Sequence, residues 1–527
     1  EQALARAKAA LGPDHRHTIV SVSNLAECHH AEGQPDEALP LYQDAFDRLT
    51  AACGPDHLDT LTALGNLANA YRAVGRLDKA VPLYEEARER ASAKLGADHL
   101  TVLTALNNLA DAYRAVGRLD KALPLYEEGH TRTAAKLGAD HPRTLNALNN
   151  MAVGLAAAGR LDKAVPLLDE THKRLTAALG PDHPLALAAL NNLADTLRVA
   201  NYPAKAVPLY EEAVKRLTAK LGPNHPHTLI SNNNLALCFA AVGRTDKALP
   251  LLETGHKRLM AQLGPDHPEA LVALNNLADT LRAANRLDEA VPLLEEAVKR
   301  MTAKLGPDHP NTLTGLHNLA EAYRGQGRLA KAVEQYEEAL KGRVAKLGAH
   351  DVNTLTTMGN LGKAYCEVGR GKEAAATLAA FVAGARPRFP QHSPNFAELL
   401  AQVAVELLGC GQWGAAGDML RESLAIREKK EPDAWSTFNT QSMLGGALLG
   451  QKKYADAEPL LLKGYEGLKA REKQIPPQGG GELRIPEALD RLIDLYAALD
   501  KLDEVKKYRD LRQKYPFVAP MPHLKKR

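Results

Sequence analysis

An all-α stack of antiparallel helix hairpins is the fold class this sequence predicts, and three observations carry the prediction. Nine glycines, Gly12, Gly54, Gly96, Gly138, Gly180, Gly222, Gly264, Gly306 and Gly348, are spaced by 42 residues without a slip. Nine alanines, from Ala38 and Ala80 through Ala122 to Ala332 and Ala374, keep the same period. Between successive glycines lie two stretches of helical patterning separated by a short stop. A period of this size means one supersecondary unit copied and stacked, because a single hairpin cannot bury its apolar face alone.

Each element follows from local chemistry. Eight of the nine glycines open a G-[PA]-[DN]-H turn, and the ninth reads Gly348-Ala349-His350-Asp351 with the last two residues exchanged. Asp98 or His99 is placed to cap a first helix that runs towards Gly117, where a left-handed residue ends it. Five units put Pro directly after the His (Pro142, Pro184, Pro226, Pro268, Pro310), where a first-turn proline loses no hydrogen bond. After the stop Gly117-Arg118-Leu119, Asp120 is placed to cap a second helix reaching Leu137. Where the stop lacks Gly it has Asn201 or Asn285, the other residue that tolerates positive φ.

Composition sets outer limits on function. The chain has 527 residues, 45% hydrophobic and 24% charged, with 66 Lys and Arg against 63 Asp and Glu. A net charge of +3 argues against nucleic acid held by general charge, and the hydrophobic fraction is too high for disorder. The longest apolar run, Ala374 to Ala385, is too short to cross a bilayer. The five cysteines, Cys28, Cys53, Cys238, Cys366 and Cys410, form no C-x-x-C pair, so a reducing, cytoplasmic setting is expected.

The small and large residues narrow the repeat type. Leu109-Ala110-x-x-Tyr113 followed by Ala122-x-x-x-Tyr126 resembles the tetratricopeptide pattern, and HEAT repeats of similar length lack that register. Leu263-Gly-Pro-Asp-His-Pro268 with Leu274-Asn-Asn-Leu-Ala278 is similar to the 42-residue repeats of kinesin light chains, which have many bacterial relatives. The resemblance covers residues 1 to about 385 and implies a right-handed α-solenoid whose first helices line a concave groove. Residues 1–12 align with the end of a preceding second helix, 13–385 with nine regular repeats, 386–514 with three degenerate hairpins and 515–527 with a tail. The charged stretch Leu502 to Lys514 is placed to cap the C-terminus. Nothing comparable caps the N-terminus, so the chain is expected to be a piece of something longer.

No catalytic constellation is legible: H-E-x-x-H, G-x-x-x-x-G-K-[ST], G-x-S-x-G and the kinase motifs are all missing from the sequence, and no cofactor is implied. Eight histidines recur once per repeat (His15 to His309). Stacked helices lie about 8–10 Å apart while zinc needs imidazole nitrogens about 2.1 Å away, so one ion cannot bridge the series. A side chain fixing each helix start is the reading favoured here. Glu211-Glu212-x-x-Lys215-Arg216 and similar blocks are surface i,i+4 chemistry.

Binding residues are sought on the first helices. Asn24, Asn66, Asn108, Asn150, Asn192, Asn234, Asn276, Asn318 and Asn360 recur in mid-helix every 42 residues, although Asn is a poor helix former. By resemblance this position faces the groove and grips the backbone of an extended peptide. An amide ladder between neighbouring first helices is the competing reading. Beside it lie acid–Arg pairs at i,i+3: Asp111–Arg114, Asp195–Arg198, Asp279–Arg282 and Glu321–Arg324, with Asn69–Arg72 a neutral variant. The arginines either hold an acidic ligand or are neutralised within their own helix. Where the acid becomes Val153 or Leu237, Arg becomes Ala156 or Ala240, suggesting apolar stations for a hydrophobic anchor.

The function expected is therefore a non-enzymatic scaffold for protein or peptide segments, without nucleic acid or membrane, and with self-association left open. A second expectation comes from Trp435-Ser-Thr-Phe-Asn-Thr-Gln-Ser-Met-Leu-Gly-Gly446 through Pro476. That stretch is similar to the end of bacterial serine/threonine kinases carrying such arrays, which implies the recruiting arm of a signalling kinase or ATPase.

Overall fold

The computed structural model describes residues 2–31, 35–476 and 481–515. Among them are twenty-five α-helices, three short 3-10 helices and no strand. The fold is an all-α solenoid, divided into two compact units, Glu1–Arg286 and Leu287–Arg527. Most of the glycine-rich loop at 477–480 and the tail from Pro516 lie outside the described residues.

A regular repeat pairs a 16-residue first helix, such as Leu100–Ala115, with a 19-residue second helix, such as Leu119–Leu137. The first helix is capped by His99 rather than Asp98: its side chain accepts the Thr101 N–H through Nδ1 at 3.3 Å. His57, His141, His183, His225, His267 and His309 do the same. In the exchanged ninth turn Asp351 takes the capping position, accepting from Asn353 and Thr354.

One expected cap moves. Arg118, not Asp120, is the N-cap of Leu119–Leu137, and it makes no side-chain capping bond. The preceding turn sets this start: Gly117 N–H bonds Arg114 O at 3.1 Å and Arg118 N–H bonds Tyr113 O at 2.8 Å. This closure ends one helix and launches the next a residue earlier than the acid. Asp120 instead lies in the first turn, where its charge complements the helix N-terminus.

The other letters of the G-[PA]-[DN]-H turn also have tasks. Gly96, Gly138 and Gly180 combine φ of 81°, 91° and 88° with ψ of 152°, 158° and 157°, a region essentially reserved for glycine. The stop inside the hairpin needs only the left-handed region, so Asn201 at φ 63° and Asn285 at φ 60° can stand in for glycine there. The turn's Asp is held by an Arg of the following repeat's second helix: Arg174 reaches Asp140 at 3.0 Å and Arg216 reaches Asp182 at 2.8 Å. A buried threonine ties the turn from inside, as Thr144 Oγ1 donates to Gly138 O at 2.8 Å.

Packing explains the alanine period. All nine alanines of that register, Ala38 to Ala374, have no exposed surface. A methyl group is all that fits between the paired helices. The first helices also pack directly on their like neighbours within each unit, more closely than second helices do. The hairpins therefore fan outward, and the first helices line the inner side of each unit. In the second unit the less regular hairpins Pro394–Gly409/Trp413–Lys430, Trp435–Gly450/Tyr454–Ala470 and Arg484–Ala498/Leu502–Arg512 share one core running from Leu378 to Tyr508. The last helix buries only Val505 and Tyr508 and turns charge to solvent.

Candidate functional site

The recurring asparagines lie on the first helices of each unit, half-buried from Asn66 to Asn360, with Asn24 exposed. Their amides divide into two groups. Asn192 Nδ2 donates to Asn149 Oδ1 and Asn276 Nδ2 to Asn233 Oδ1, both at 3.2 Å and both reaching the previous repeat. Asn234 Nδ2 reaches the Asp195 carboxylate at 3.5 Å, and Asn360 Nδ2 donates to Glu321 at 2.6 Å. Asn150 Oδ1 accepts from Asn149, and Asn318 has polar partners as well. Asn24, Asn66 and Asn108, by contrast, make no side-chain hydrogen bond among the described residues.

The ladder depends on a second column that sequence reasoning did not single out. Asn149 and Asn233 precede the expected asparagines by one residue and accept from the next repeat; Asn191 accepts from Ser231 at 3.0 Å. Asn149 and Asn275 are only 5% and 4% exposed, so these amides belong to the interior. The signal was the doubled Asn-Asn, visible in five repeats from Asn107-Asn108 to Asn275-Asn276.

The arginines are mostly paired at home. Arg114 meets Asp111 at 3.4 Å, Arg198 meets Asp195 at 3.1 Å and Arg282 meets Asp279 at 2.8 Å. Arg324 is different. Its main partner is not Glu321 but Glu367 of the next first helix, gripped through Nε and Nη2 at 2.8–3.1 Å. Glu321 instead receives the Asn360 amide and the Tyr336 hydroxyl. The reach to a neighbouring helix wins because Glu367 offers a two-pronged carboxylate to the guanidinium fork. Arg72, exposed and beside neutral Asn69, has no ion pair among the described residues.

A buried tyrosine completes this grouping. Tyr126 Oη donates to Asp111 Oδ1 at 2.5 Å and accepts from Arg114 Nε at 3.3 Å. Burial, then the Asp111 charge, pushes the Tyr126 phenol upward, which keeps it a proton donor. Tyr84 donates to Asn69 in the same way, and its phenol is pushed up to about 12, first by burial. Tyrosine does not simply follow the acid–Arg pair: Leu168 and Leu252 replace it where acid and Arg are lost, but Leu294 also replaces it beside Asp279 and Arg282. In the repeat of Leu168, Val153 packs against the core of Ala152, Leu168 and Leu193.

Among the described residues, no three His, Cys, Asp or Glu side chains converge as a metal site, and no helix is long and apolar enough to cross a membrane. Polar amides and charges on stacked hairpins define a helical-repeat protein. The tetratricopeptide repeat family model matches in eight overlapping stretches that run from residue 1 to 345: 1–51, 20–93, 59–135, 101–171, 143–219, 203–260, 228–303 and 269–345. The chain belongs to that family, whose repeats are generally protein–protein interaction modules.

Solved structures of the kinesin light chain type are similar over part of the chain. A kinesin light chain-like protein of Podosopora anserina with nearly identical TPR-like repeats is 27% identical, with 39% of this chain and 98% of that one covered and a TM-score of 0.33. A substituted form of the same protein is 26% identical over the same shares, with a TM-score of 0.34. BtubC (BKLC) from P. vanneervenii is 20% identical, covers 45% of this chain and 92% of its own, and has a TM-score of 0.35. No curated protein matches the chain.

Proposed function

We propose that this chain is a non-enzymatic scaffold that captures an extended protein segment on the inner side of its first unit. The segment is held by Asn66 and Asn108, with Arg72 receiving a carboxylate. The observation that supports this placement is the contrast along one column. Asn192, Asn234, Asn276 and Asn360 spend their amide donors on neighbouring repeats and Asn150 accepts from Asn149, while the half-buried Asn66 and Asn108 keep both donor and acceptor. An amide offers both a donor and an acceptor, which matches the alternating groups of a peptide backbone. Six helical residues separate Asn66 from Arg72, about 9 Å of rise, and neighbouring helices are about 8–10 Å apart. Three residues of extended chain cover such a distance. The other arginines are already neutralised, so charge selection is local to Arg72 and the remaining inner side contributes shape and stacking.

The test starts from an array of extended peptides bearing acidic, neutral or basic residues, followed by calorimetry on the strongest ligand. Asn66→Ala with Asn108→Ala should weaken binding at least tenfold and leave the melting midpoint unchanged. Arg72→Ala should reduce the preference for acidic peptides. Asn276→Ala is the control in the opposite sense: it removes an inter-repeat bond, so it should lower stability by about 1 kcal/mol. Unchanged affinity in the Asn66/Asn108 double variant would place the ligand elsewhere.

A further inference from the structure

We infer that Cys366 and Cys410 form a redox-modifiable pair, a dithiol that a hydroperoxide converts into a disulfide joining two neighbouring first helices of the second unit. Cys366 lies in the helix Val352–Glu367, and Cys410 is the cap that follows Pro394–Gly409. Cys366 Sγ donates to Glu406 O at 3.5 Å, and Cys410 Sγ donates to Leu407 O at 3.6 Å. Those carbonyls belong to adjacent residues in the last turn of one helix, so the two sulfurs converge on one spot. Both side chains are half-buried.

The position has a precedent one repeat earlier. Cys366 stands where Arg324 stands 42 residues before it. Arg324 bridges to Glu367 on the next first helix; Cys366 reaches the last turn of the one after, at Glu406 O. The same step of the stack is thus tied first by an ion pair and then by a thiol on a backbone carbonyl, with Cys410 beside it.

The roles of the two sulfurs differ. The neighbouring Cys366 side chain, then the backbone N–H groups of Cys410 and Gln412, hold the Cys410 thiol below the ordinary value, while the neighbouring Cys410 and burial push Cys366 up. Cys410 as thiolate attacks the peroxide: an S–O bond forms, the O–O bond breaks, and the leaving oxygen departs protonated as water or alcohol. Cys366 then attacks the sulfenic sulfur, the S–S bond forms, and the S–O bond breaks as hydroxide takes the Cys366 proton. Two thiols and one hydroperoxide give one disulfide, one water and one further water or alcohol. The peroxide is reduced by two electrons, and a dithiol reductant reverses the change.

The experiment uses the full chain carrying Cys28→Ser, which removes the exposed thiol. After stoichiometric hydrogen peroxide, non-reducing peptide mapping should find one intramolecular Cys366–Cys410 link, and the melting midpoint should rise above that of the reduced chain. Cys366→Ser should abolish the link and leave Cys410 as a sulfenic acid captured by dimedone, with circular dichroism showing an unchanged helical fold. If Cys366→Ser unfolds, Cys366→Ala repeats the dimedone reading. Peroxide that labels Cys53 or Cys238 while Cys366 and Cys410 stay reduced, or a link that appears only in urea, would overturn the assignment.

Discussion

One imidazole nitrogen does the same work in nearly every repeat. Each capping histidine accepts a backbone N–H through Nδ1, a task open only to neutral imidazole. At His225 and His309 burial holds the pKa below its ordinary value of 6.5, with the neighbouring His227 adding to the effect at His225. A group with a lower pKa in the folded chain binds more protons when unfolded, so stability rises with pH through that window. These two caps therefore contribute fully above about pH 6.5, and their contribution drains away as pH falls through that value and on through the folded pKa. We expect the urea midpoint to drop between about pH 7 and 5, and the drop to shrink in a His225→Asn/His309→Asn variant, since Asn caps without titrating. Asp351 already makes that kind of substitution in the ninth turn. An equal drop in variant and parent would assign the effect to other groups.

At the scale of the element, the two kinds of turn separate two kinds of glycine. Both have positive φ; the turn between repeats adds ψ near 160°, as at Gly222 with φ 88° and ψ 164°, while the stop inside the hairpin accepts Asn201 and Asn285. Gly243→Asn, in the stop inside a hairpin, should be nearly neutral by thermal melting, because Asn201 and Asn285 hold that place elsewhere. Gly222→Asn should cost about 1–3 kcal/mol. Equal losses at both sites would mean that strain is not what keeps glycine at the 42-residue period.

Much of the element was legible because these demands are local. A glycine of fixed geometry, a capping His and an alanine with no room around it each leave one letter at a fixed place. Asp120 misled because an acid before an apolar stretch resembles a cap, whereas the backbone closure at Gly117–Arg118 had already fixed the start. The Arg324–Glu367 bridge and the Asn149 and Asn233 acceptors were not legible, since they depend on which side chain reaches across to a helix 43 residues away. Spacing within a helix announces its own i,i+3 pairs but not its neighbour's competing offer. For the same reason the column of Asn residues was visible as a whole, while its division into committed and open members was not.

Over the whole molecule, stability is expected to be nearest-neighbour in character, because helices touch the next helix or the next like helix and little else. Small cores recur along the first unit, each joining two repeats: Leu145 and Leu175 with Ala186 and Ala189, then Leu229 and Leu259 with Ala270 and Ala273. The end of the second unit is built otherwise, with Leu378, Leu400, Leu420, Leu461, Leu489 and Tyr508 in one continuous cluster. Repeats held by local cores should open piecemeal, whereas three hairpins sharing a core should open together. Native-state hydrogen exchange should therefore show graded protection along residues 58–263 and one common opening free energy across 394–512. Urea melts followed by exchange should lose the second block in a single step. Uniform protection along both units would mean that the regular repeats are coupled beyond their neighbours. A face composed of semi-independent repeats could then not adjust hairpin by hairpin around a bound segment, and binding at Asn66 and Asn108 would have to rest on a preformed surface alone.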